Sequence, residues 1–344
     1  TDRQTDRQTD RQTDRQTDRQ TDRQTRLNYL DIAKGIAIIL VVVGHCIPDA
    51  TAPTGISSSY MRILHSVIYS FHMPLFFFIS GYLISRRQII AKGETITASL
   101  KKRFHRLLVP YLFVGLCYAP MKYLLSSFAN RPYDFSQIWK IIIGINPDGE
   151  LWFLYALFVI TMVAGFTGYR ISKLGLTILS FLAVTTPLLP IVTSNMLYVF
   201  LGIYARRDYP NFIVGLKMPV LLIASLAFAV VNICSILYGG NSIFRILTSI
   251  TGIILCLRFS QWVDGKSGIF RNGLIQLGLF SMDIYILSDI IKIPFRIILW
   301  SKLHLYMLSF IVCFVLSVVL SYIFSKYFIR KSTWLSYLIL GIRK

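Results

Sequence analysis

The sequence predicts an all-α polytopic membrane protein, with about ten transmembrane helices packed in one bundle. Of its 344 residues, 54% are hydrophobic and 15% are charged, whereas soluble domains average about 25% charged residues. The hydrophobic residues gather in blocks of about 18–25, the length that crosses a hydrocarbon core. The net charge of +20 lies in the connections between these blocks. This composition leaves no room for a sizeable soluble domain, and it disfavours nucleic-acid binding.

Residues 1–25 are predicted to be a disordered tail, because six copies of the polar motif TDRQ cannot build a core. The repeated nucleotide unit ACAG, read in triplets, encodes Thr-Asp-Arg-Gln. We therefore hypothesise a slippage tract that switches the gene on and off by frameshift, as in phase-variable bacterial surface genes. The membrane domain is predicted to cover residues 26–331, and residues 332–344 are predicted to be a cytoplasmic tail.

Ten hydrophobic blocks follow in order, and each is predicted to be a span. They cover residues 30–47, 63–85, 107–126, 151–168, 171–188, 192–205, 212–237, 242–260, 274–293 and 305–327. The polar, basic segment 94–106 is predicted to be an interfacial helix that leads into the third span. Segment 135–146 is predicted to lie at the outer surface, with Trp139 as its interfacial anchor.

Lysine and arginine are concentrated in alternate connections, and this pattern predicts the orientation of the spans. The connections after even-numbered spans carry Arg86, Arg87, Lys92, Arg170, Lys173, Arg206, Arg207, Lys266, Arg271 and Lys326. Connections 48–61 and 238–241 carry neither lysine nor arginine. Connection 127–150 holds Arg131 and Lys140 but also three acidic residues. The ninth connection, with Lys292, Arg296 and Lys302, is the exception. Because cytoplasmic loops collect basic residues, both termini are predicted to lie in the cytoplasm.

The five cysteines do not suggest a metal site or a disulfide framework. They are Cys46, Cys117, Cys234, Cys256 and Cys313, without a CxxC pair, and most lie inside hydrophobic blocks. Small hydrophobic core residues are the simplest interpretation.

The first span carries ionisable residues on one side. Lys34 and His45 are eleven positions apart, so their directions on a helix differ by about 20°, and Asp31 lies about 40° from His45. Ionisable groups inside a membrane usually face a bundle interior or a wet cavity, which predicts a functional site. His72, in the second span, adds another imidazole, and an imidazole can serve as a general base toward a hydroxyl.

These residues also have a structural interpretation. A membrane histidine can simply form a hydrogen bond between two helices. Asp31 and Lys34, at positions i and i+3, can form an ion pair near the membrane surface. In the functional interpretation, Lys34 binds an anionic group or sets the proton affinity of the site. Two histidines in consecutive spans favour that interpretation.

A basic cluster precedes the third span and contains Lys101, Lys102, Arg103, His105 and Arg106. It is either a topology signal that also contacts anionic lipid, or a site for the phosphates of a nucleotide-containing donor. In the second case Lys102, Arg103 and Arg106 are the candidate ligands.

Three further residues are candidates for substrate binding. Glu150 and Trp152 stand at the start of the fourth span, and Tyr285 lies in the ninth. The alternatives are a favourable helix-dipole contact for Glu150 and a place in the interfacial aromatic belt for Trp152. Tyr285 alone indicates little.

Six motifs occur in the order KGIAIILVVVGH, FHMPLFFFISGYLISRR, RFHRLLVPY, LWFLYALF, LGIYARR and SMDIYILS. Through these motifs, from about Arg26 to Lys331, the chain resembles the integral membrane acyltransferase-3 family. It is most similar to the branch of fucose 4-O-acetylase-like and surface-glycan O-acetyltransferases. The family pattern of a basic residue, ten residues and a histidine falls on Lys34 and His45, with Lys34 where many members have arginine. Ser288 stands where the family often has histidine.

The resemblance implies a bacterial inner-membrane enzyme that moves an acetyl group from cytoplasmic acyl-CoA (acetyl-CoA) to a sugar hydroxyl of a surface polysaccharide, capsule or lipopolysaccharide. It implies that His45 is the general base or a transient acyl carrier, with His72 as a second polar group in the cavity. Lys34 and Asp31 would shape the protonation of His45 or the donor path. The phosphates of CoA would meet Arg103 and Arg106.

A transporter or flippase for a glycan or small solute, without acyl transfer, fits ten spans and buried ionisable residues equally well on physical grounds. The lack of a clear inverted internal repeat counts weakly against it. A non-catalytic membrane subunit is a third alternative, and the polar residues clustered in the first two spans argue against it.

Overall fold

The computed structural model describes residues 27–47, 59–84, 93, 95–125, 134–185, 190–211 and 216–343, and within these ranges it contains helices and no strands. This confirms the predicted all-α class. The predicted repeat tail, residues 1–25, lies outside the described residues, as do the basic residues Arg86, Arg87 and Lys92.

The helices are numbered here in chain order. They are α1 (Asn28–Cys46), α2 (Ser59–Leu83), α3 (Ile96–Leu124), α4 (Trp152–Phe166), α5 (Lys173–Thr185), α6 (Pro190–Asp208), α7 (Met218–Tyr238), α8 (Ser242–Asp264), α9 (Ile269–Leu279), α10 (Ser281–Arg296), α11 (Tyr306–Phe324) and α12 (Thr333–Leu340). Phe104–Leu108, Ile297–Lys302 and Ser325–Ile329 are π-helical turns, and Phe135–Ile143 and Gly149–Leu151 are 3₁₀ helices.

Among the described residues, seven helices are long and apolar enough to cross a membrane, and they are α1, α2, α3, α4, α7, α8 and α11. The pair α9 and α10, bent by 78°, would make an eighth span. Each predicted span overlaps one of the helices or this bent pair. The chain is an all-α polytopic membrane protein, while the count of ten spans and the cytoplasmic termini stay predictions.

Segment 94–106 does not form the separate interfacial helix that its charge predicted. Residues 96–124 form one continuous helix, α3, with a π-helical turn at Phe104–Leu108. Leu100 packs against the hydrophobic core and contacts Gly165 of α4. The segment therefore packs against the bundle through Leu100 and joins the basic residues directly to the third span.

Helix α1 lies at the centre of the bundle and contacts α2, α8, α9, α10 and α11. Glycines bring α1 and α9 together, because a Cβ atom at Gly35 would overlap the carbonyl of Leu274, and one at Gly278 would overlap the carbonyl of Asp31. Small residues that allow such close backbone contacts are typical of membrane helix pairs. The contact fixes α1 against its neighbour at the end that carries Asp31.

A second glycine pair joins α2 to α6. Gly81 of α2 lies against the backbone of Val199, and Gly202 of α6 lies against the carbonyl of Phe78. These backbone contacts fix α2, which carries His72, against α6.

The segment predicted to be a cytoplasmic tail contains the helix α12, which packs on α3. Leu340, at its end, is fully buried. The side of the membrane on which α12 lies stays a prediction.

Candidate active site

A cavity of about 150 Å³ lies at the C-terminal end of α1. Side chains from six helices line it, and they are His45, Tyr69, His72, Met73, Pro74, Trp152, Ser194, Asn195, Tyr198, Arg245 and Tyr285. Four of the predicted site residues therefore meet here: His45, His72, Trp152 and Tyr285. The wall is aromatic and polar, the composition of a site that binds a small polar molecule.

The imidazole of His45 is held through one ring nitrogen. Its Nδ1 lies 3.2 Å from Oε1 of Glu150 and 3.2 Å from the hydroxyl of Tyr69. Because Glu150 Oε1 also accepts from the ammonium of Lys292 at 2.7 Å, it acts as an acceptor, and this contact favours the tautomer with the proton on Nδ1. That tautomer leaves the lone pair on Nε2, which is the arrangement of a general base oriented by a carboxylate.

Glu150 is in turn held by a buried ion-pair cluster. Lys292 Nζ lies 2.7 Å from Glu150 Oε1 and 2.5 Å from Asp289 Oδ1. The hydroxyl of Tyr118 donates to Asp289 Oδ2 at 3.0 Å. Lys292 and Asp289 are 6% and 7% exposed, so each charge depends on its partner to offset the cost of burial.

The backbone at Glu150 is fixed by the turn before it. The hydroxyl of Tyr285 donates to the carbonyl of Glu150, and the N–H of Glu150 donates to Asp148 Oδ1 at 3.0 Å. Asn146 accepts from the N–H of Asp148 at 3.0 Å, and its amide donates to the carbonyl of Tyr111 at 2.9 Å. Burial, and then the nearby Asp289 carboxylate, raise the pKa of Asp148 to about 8.

Glu150, predicted to bind substrate, is not among the side chains that line the cavity. The structure places it behind His45, where it contacts the imidazole and the ammonium of Lys292. This position suits a residue that orients the base rather than one that contacts the substrate.

His72 is almost fully buried, at 1% exposed. Its Nδ1 lies 2.6 Å from the carbonyl of Ile68, and since a carbonyl only accepts, Nδ1 carries the proton. Nε2 is then an acceptor. The ring meets Tyr69 edge-on, with 4.9 Å between the ring centroids. His72 is therefore suited to accept a hydrogen bond at the cavity wall.

Asp31 and Lys34, predicted to act with His45, do not line this cavity. Lys34 Nζ lies 2.6 Å from Asp31 Oδ1, as an i,i+3 ion pair. A separation of eleven residues places Lys34 roughly 16 Å from His45 along α1. The structure therefore pairs Asp31 with Lys34 but does not bring them to the imidazole.

The basic residues predicted to bind the donor lie apart from the cavity lining as well. Arg106 Nη1 donates to the carbonyl of Leu340, in α12, at 2.5 Å. Its neighbour His105 has Nδ1 3.1 Å from the hydroxyl of Tyr337. Lys102 is exposed, and Arg103 is half-buried.

Sequence reasoning missed Asp289, Lys292, Tyr118 and Arg245 as members of the site. Lys292 was assigned to a basic connection, although Asp289 and Lys292 stand at i and i+3 within an apolar helix. That spacing was a usable signal, because paired charges in a membrane segment point to a buried site. Arg245, a charged residue inside the predicted span 242–260, was a usable signal as well, whereas Tyr118 carried none. In the part of the chain that the structure describes, no cluster of three His, Cys, Asp or Glu side chains could hold a metal ion.

Comparison with known proteins shows which family the chain belongs to. Two curated relatives are nodulation protein NolL of Mesorhizobium japonicum, 30% identical over 48% of this chain, and nodulation protein NolL of Sinorhizobium fredii, 30% identical over 54%. The alignments cover 42% and 46% of those two proteins, so the chain spans less than half of their length. No solved structure matches the chain. Residues 27–326 match the family described as acyltransferase domain, and the chain therefore belongs to the acyltransferase-3 family.

Proposed function

We propose that the protein is an O-acetyltransferase of the bacterial inner membrane, which moves an acetyl group from acetyl-CoA to a sugar hydroxyl of a surface polysaccharide, capsule or lipopolysaccharide. Membership of the acyltransferase-3 family supports acyl transfer. The observation that carries the proposal is the contact of His45 Nδ1 with Glu150, at the edge of a cavity lined by aromatic and polar side chains.

In this mechanism Nε2 of His45 removes the proton of the acceptor hydroxyl as its oxygen attacks the thioester carbonyl carbon. Glu150 stabilises the imidazolium that forms. The carbon–sulfur bond then breaks, and the proton passes from the imidazolium to the departing thiolate. The products are the sugar O-acetyl ester and free CoA, and the imidazole returns to its neutral form.

The residues of the cavity suit a sugar. Aromatic rings of Tyr69, Trp152 and Tyr285 offer apolar faces to sugar C–H groups, and Ser194 and Asn195 offer hydrogen bonds. We assign the positioning of one acceptor hydroxyl to Nε2 of His72.

The donor phosphates are assigned to Lys102, Arg103 and Arg106. A guanidinium has five N–H donors, so the bond from Arg106 to the carbonyl of Leu340 leaves donors for a phosphate. In this proposal the pantetheine arm of CoA extends from the three basic residues, past Lys34, to His45.

The decisive test compares His45→Gln with the parent chain, at matched protein level, in a strain that makes the polysaccharide. Glutamine still donates to Glu150 but cannot take up a proton, so we expect O-acetyl content of the polysaccharide to fall by roughly 100-fold or more. His304→Asn is the control, because His304 is exposed, bonds Tyr306 and has a φ of 56°, which asparagine tolerates.

Unchanged O-acetylation in His45→Gln would overturn the enzyme assignment. If instead the uptake of a labelled solute depended on His45, the transporter alternative would replace it.

Phase variation is a separate part of the proposal and rests on the TDRQ repeat. If slippage controls expression, colonies that lose O-acetylation will have gained or lost ACAG units in a number that is not a multiple of three, which shifts the reading frame. Synonymous codons mixed across the six copies would contradict it, because they interrupt the nucleotide repeat.

A further inference from the structure

We propose that the acceptor is an acidic sugar and that Arg245 binds its anionic group. This inference rests on the proposed function, and it deepens that proposal by naming the substrate class. The ligand chemistry is a carboxylate or a phosphate carried by the sugar residue next to the reacting hydroxyl.

The charges around the cavity carry the inference. Arg245, from α8, contributes a permanent cation to the lining, and the lining contains no aspartate or glutamate. Over the described ranges, Arg245 forms no ion pair with a carboxylate; the ion pairs seen there involve other cations. A guanidinium at a binding cavity without a protein counter-ion is suited to an anionic ligand.

The backbone of Arg245 is fixed relative to His72. The hydroxyl of Ser249 lies 2.6 Å from the carbonyl of Arg245 and 2.7 Å from the carbonyl of Ser70. Ser249 is fully buried, and Ser70 precedes His72 by two positions on α2. The backbone that carries Arg245 is therefore fixed at the cavity wall, and its exposed side chain can reach a ligand.

The part of the site at His45 has acidic side chains of its own. Glu150 and Asp289, two carboxylates, share one ammonium, that of Lys292, beside the imidazole of His45. An anionic group of the sugar would meet carboxyl oxygens beside His45, whereas at Arg245 it would meet a guanidinium. We therefore assign the anionic group of the sugar to Arg245 and the reacting hydroxyl to His45.

The test uses membranes that contain the full chain, labelled acetyl-CoA, and the polysaccharide of the host strain after its acetyl groups have been removed. Two further acceptors are this polysaccharide with its carboxyl groups reduced to alcohols, and the same polysaccharide with its phosphate esters removed. We expect the parent chain to lose about tenfold or more in kcat/KM on whichever treatment removes the recognised anion. The two treatments thus distinguish a carboxylate from a phosphate.

Variants of Arg245 test whether this residue binds the anionic group. Arg245→Gln should raise KM for the acidic acceptor by about tenfold while kcat falls less, and Arg245→Lys should recover part of the loss. The discrimination between native and treated polysaccharide should collapse in Arg245→Gln. Arg258→Gln is the matched control, because Arg258 lies on the same helix, outside the cavity lining, and bonds Gln261.

Equal kcat/KM of the parent chain for native and both treated polysaccharides would overturn this inference and leave the O-acetyltransferase intact. A rise in KM for acetyl-CoA in Arg245→Gln, with KM for the acceptor unchanged, would also overturn it, because the cation would then serve the donor phosphates. If the parent chain acetylated no acceptor at all, the proposed function itself would fail.

Discussion

The two ends of α1 carry ionisable residues on one side of the same helix, and they are built differently. At the C-terminal end, His45 contacts side chains from distant segments, Tyr69 and Glu150, beside a cavity. At the N-terminal end, Asp31 pairs with Lys34, one turn away, and its backbone lies against Gly278. The spacing of residues along a helix therefore predicts which of them share a side. The neighbouring helices determine what that side contacts.

Of the variants at the two ends of α1, Glu150→Gln is expected to lose the most activity. An amide nitrogen facing Nδ1 would favour the proton on Nε2, and the base would be lost even though His45 remained in place. We expect kcat to fall roughly 100-fold or more, with a smaller change in KM. Asp134→Asn is the control, because Asp134 is an exposed carboxylate that bonds Ser136.

A Glu150→Gln enzyme with normal kcat would show that the carboxylate only stabilises the bundle. Thermal unfolding in detergent, measured on the same preparation, separates these two roles.

A second prediction concerns the packing at the Asp31 end. In Gly278→Ala the new Cβ would overlap the backbone carbonyl of Asp31, so α1 and α9 must move apart. Overpacking of this kind costs about 1–3 kcal/mol of unfolding free energy. Gly273→Ala is the matched control, because nothing lies within 4 Å of a Cβ at Gly273 of the same helix. Equal melting temperatures for the two variants would show that the glycine contact does not hold α1.

A smaller loss of stability is expected from Lys34→Met, which breaks the ion pair between Lys34 and Asp31 at the N-terminal end of α1. Asp31 is 4% exposed, and the loss of a partner for a buried acceptor costs about 1–2 kcal/mol. Since Lys34 does not reach the cavity, we expect kcat per folded molecule to be retained. The double variant Asp31→Asn/Lys34→Met should regain part of the stability.

A fall in kcat of more than about tenfold in Lys34→Met, at equal folded fraction, would restore Lys34 to the catalytic set that the sequence predicted. A rise in KM for acetyl-CoA alone would place Lys34 on the donor path.

Much of the fold could be predicted from the sequence, because hydrophobic blocks of bilayer length are a strong and local signal. His45 and His72 were found for a similar reason, since ionisable residues inside such blocks stand out. The bend at Phe280, between α9 and α10, was missed, because the hydrophobic block runs through it without a proline.

The partners of the base could not be predicted from the sequence. Glu150 and Lys292 are 142 positions apart, and no local pattern indicates that their side chains meet. Such contacts depend on which helices pack together, and glycines set this packing at α1 and α9. For this reason Glu150 was predicted to contact substrate, while the structure places it behind the imidazole.

The smallest effect on activity is expected from Asp148→Asn, in the turn that holds Glu150. Asp148 has its pKa raised from 3.8 to about 8, chiefly by burial, so the folded state favours the protonated carboxyl. A raised carboxyl pKa contributes stability at low pH, and this contribution is lost as the pH rises through the folded-state pKa. The melting temperature of the parent chain should therefore fall between about pH 4 and pH 8 more than that of Asp148→Asn. Asparagine still accepts from the N–H of Glu150, so kcat should change little. Parallel melting curves over this pH range would show that Asp148 is ionised in the folded protein, and that the turn supports Glu150 through its charge.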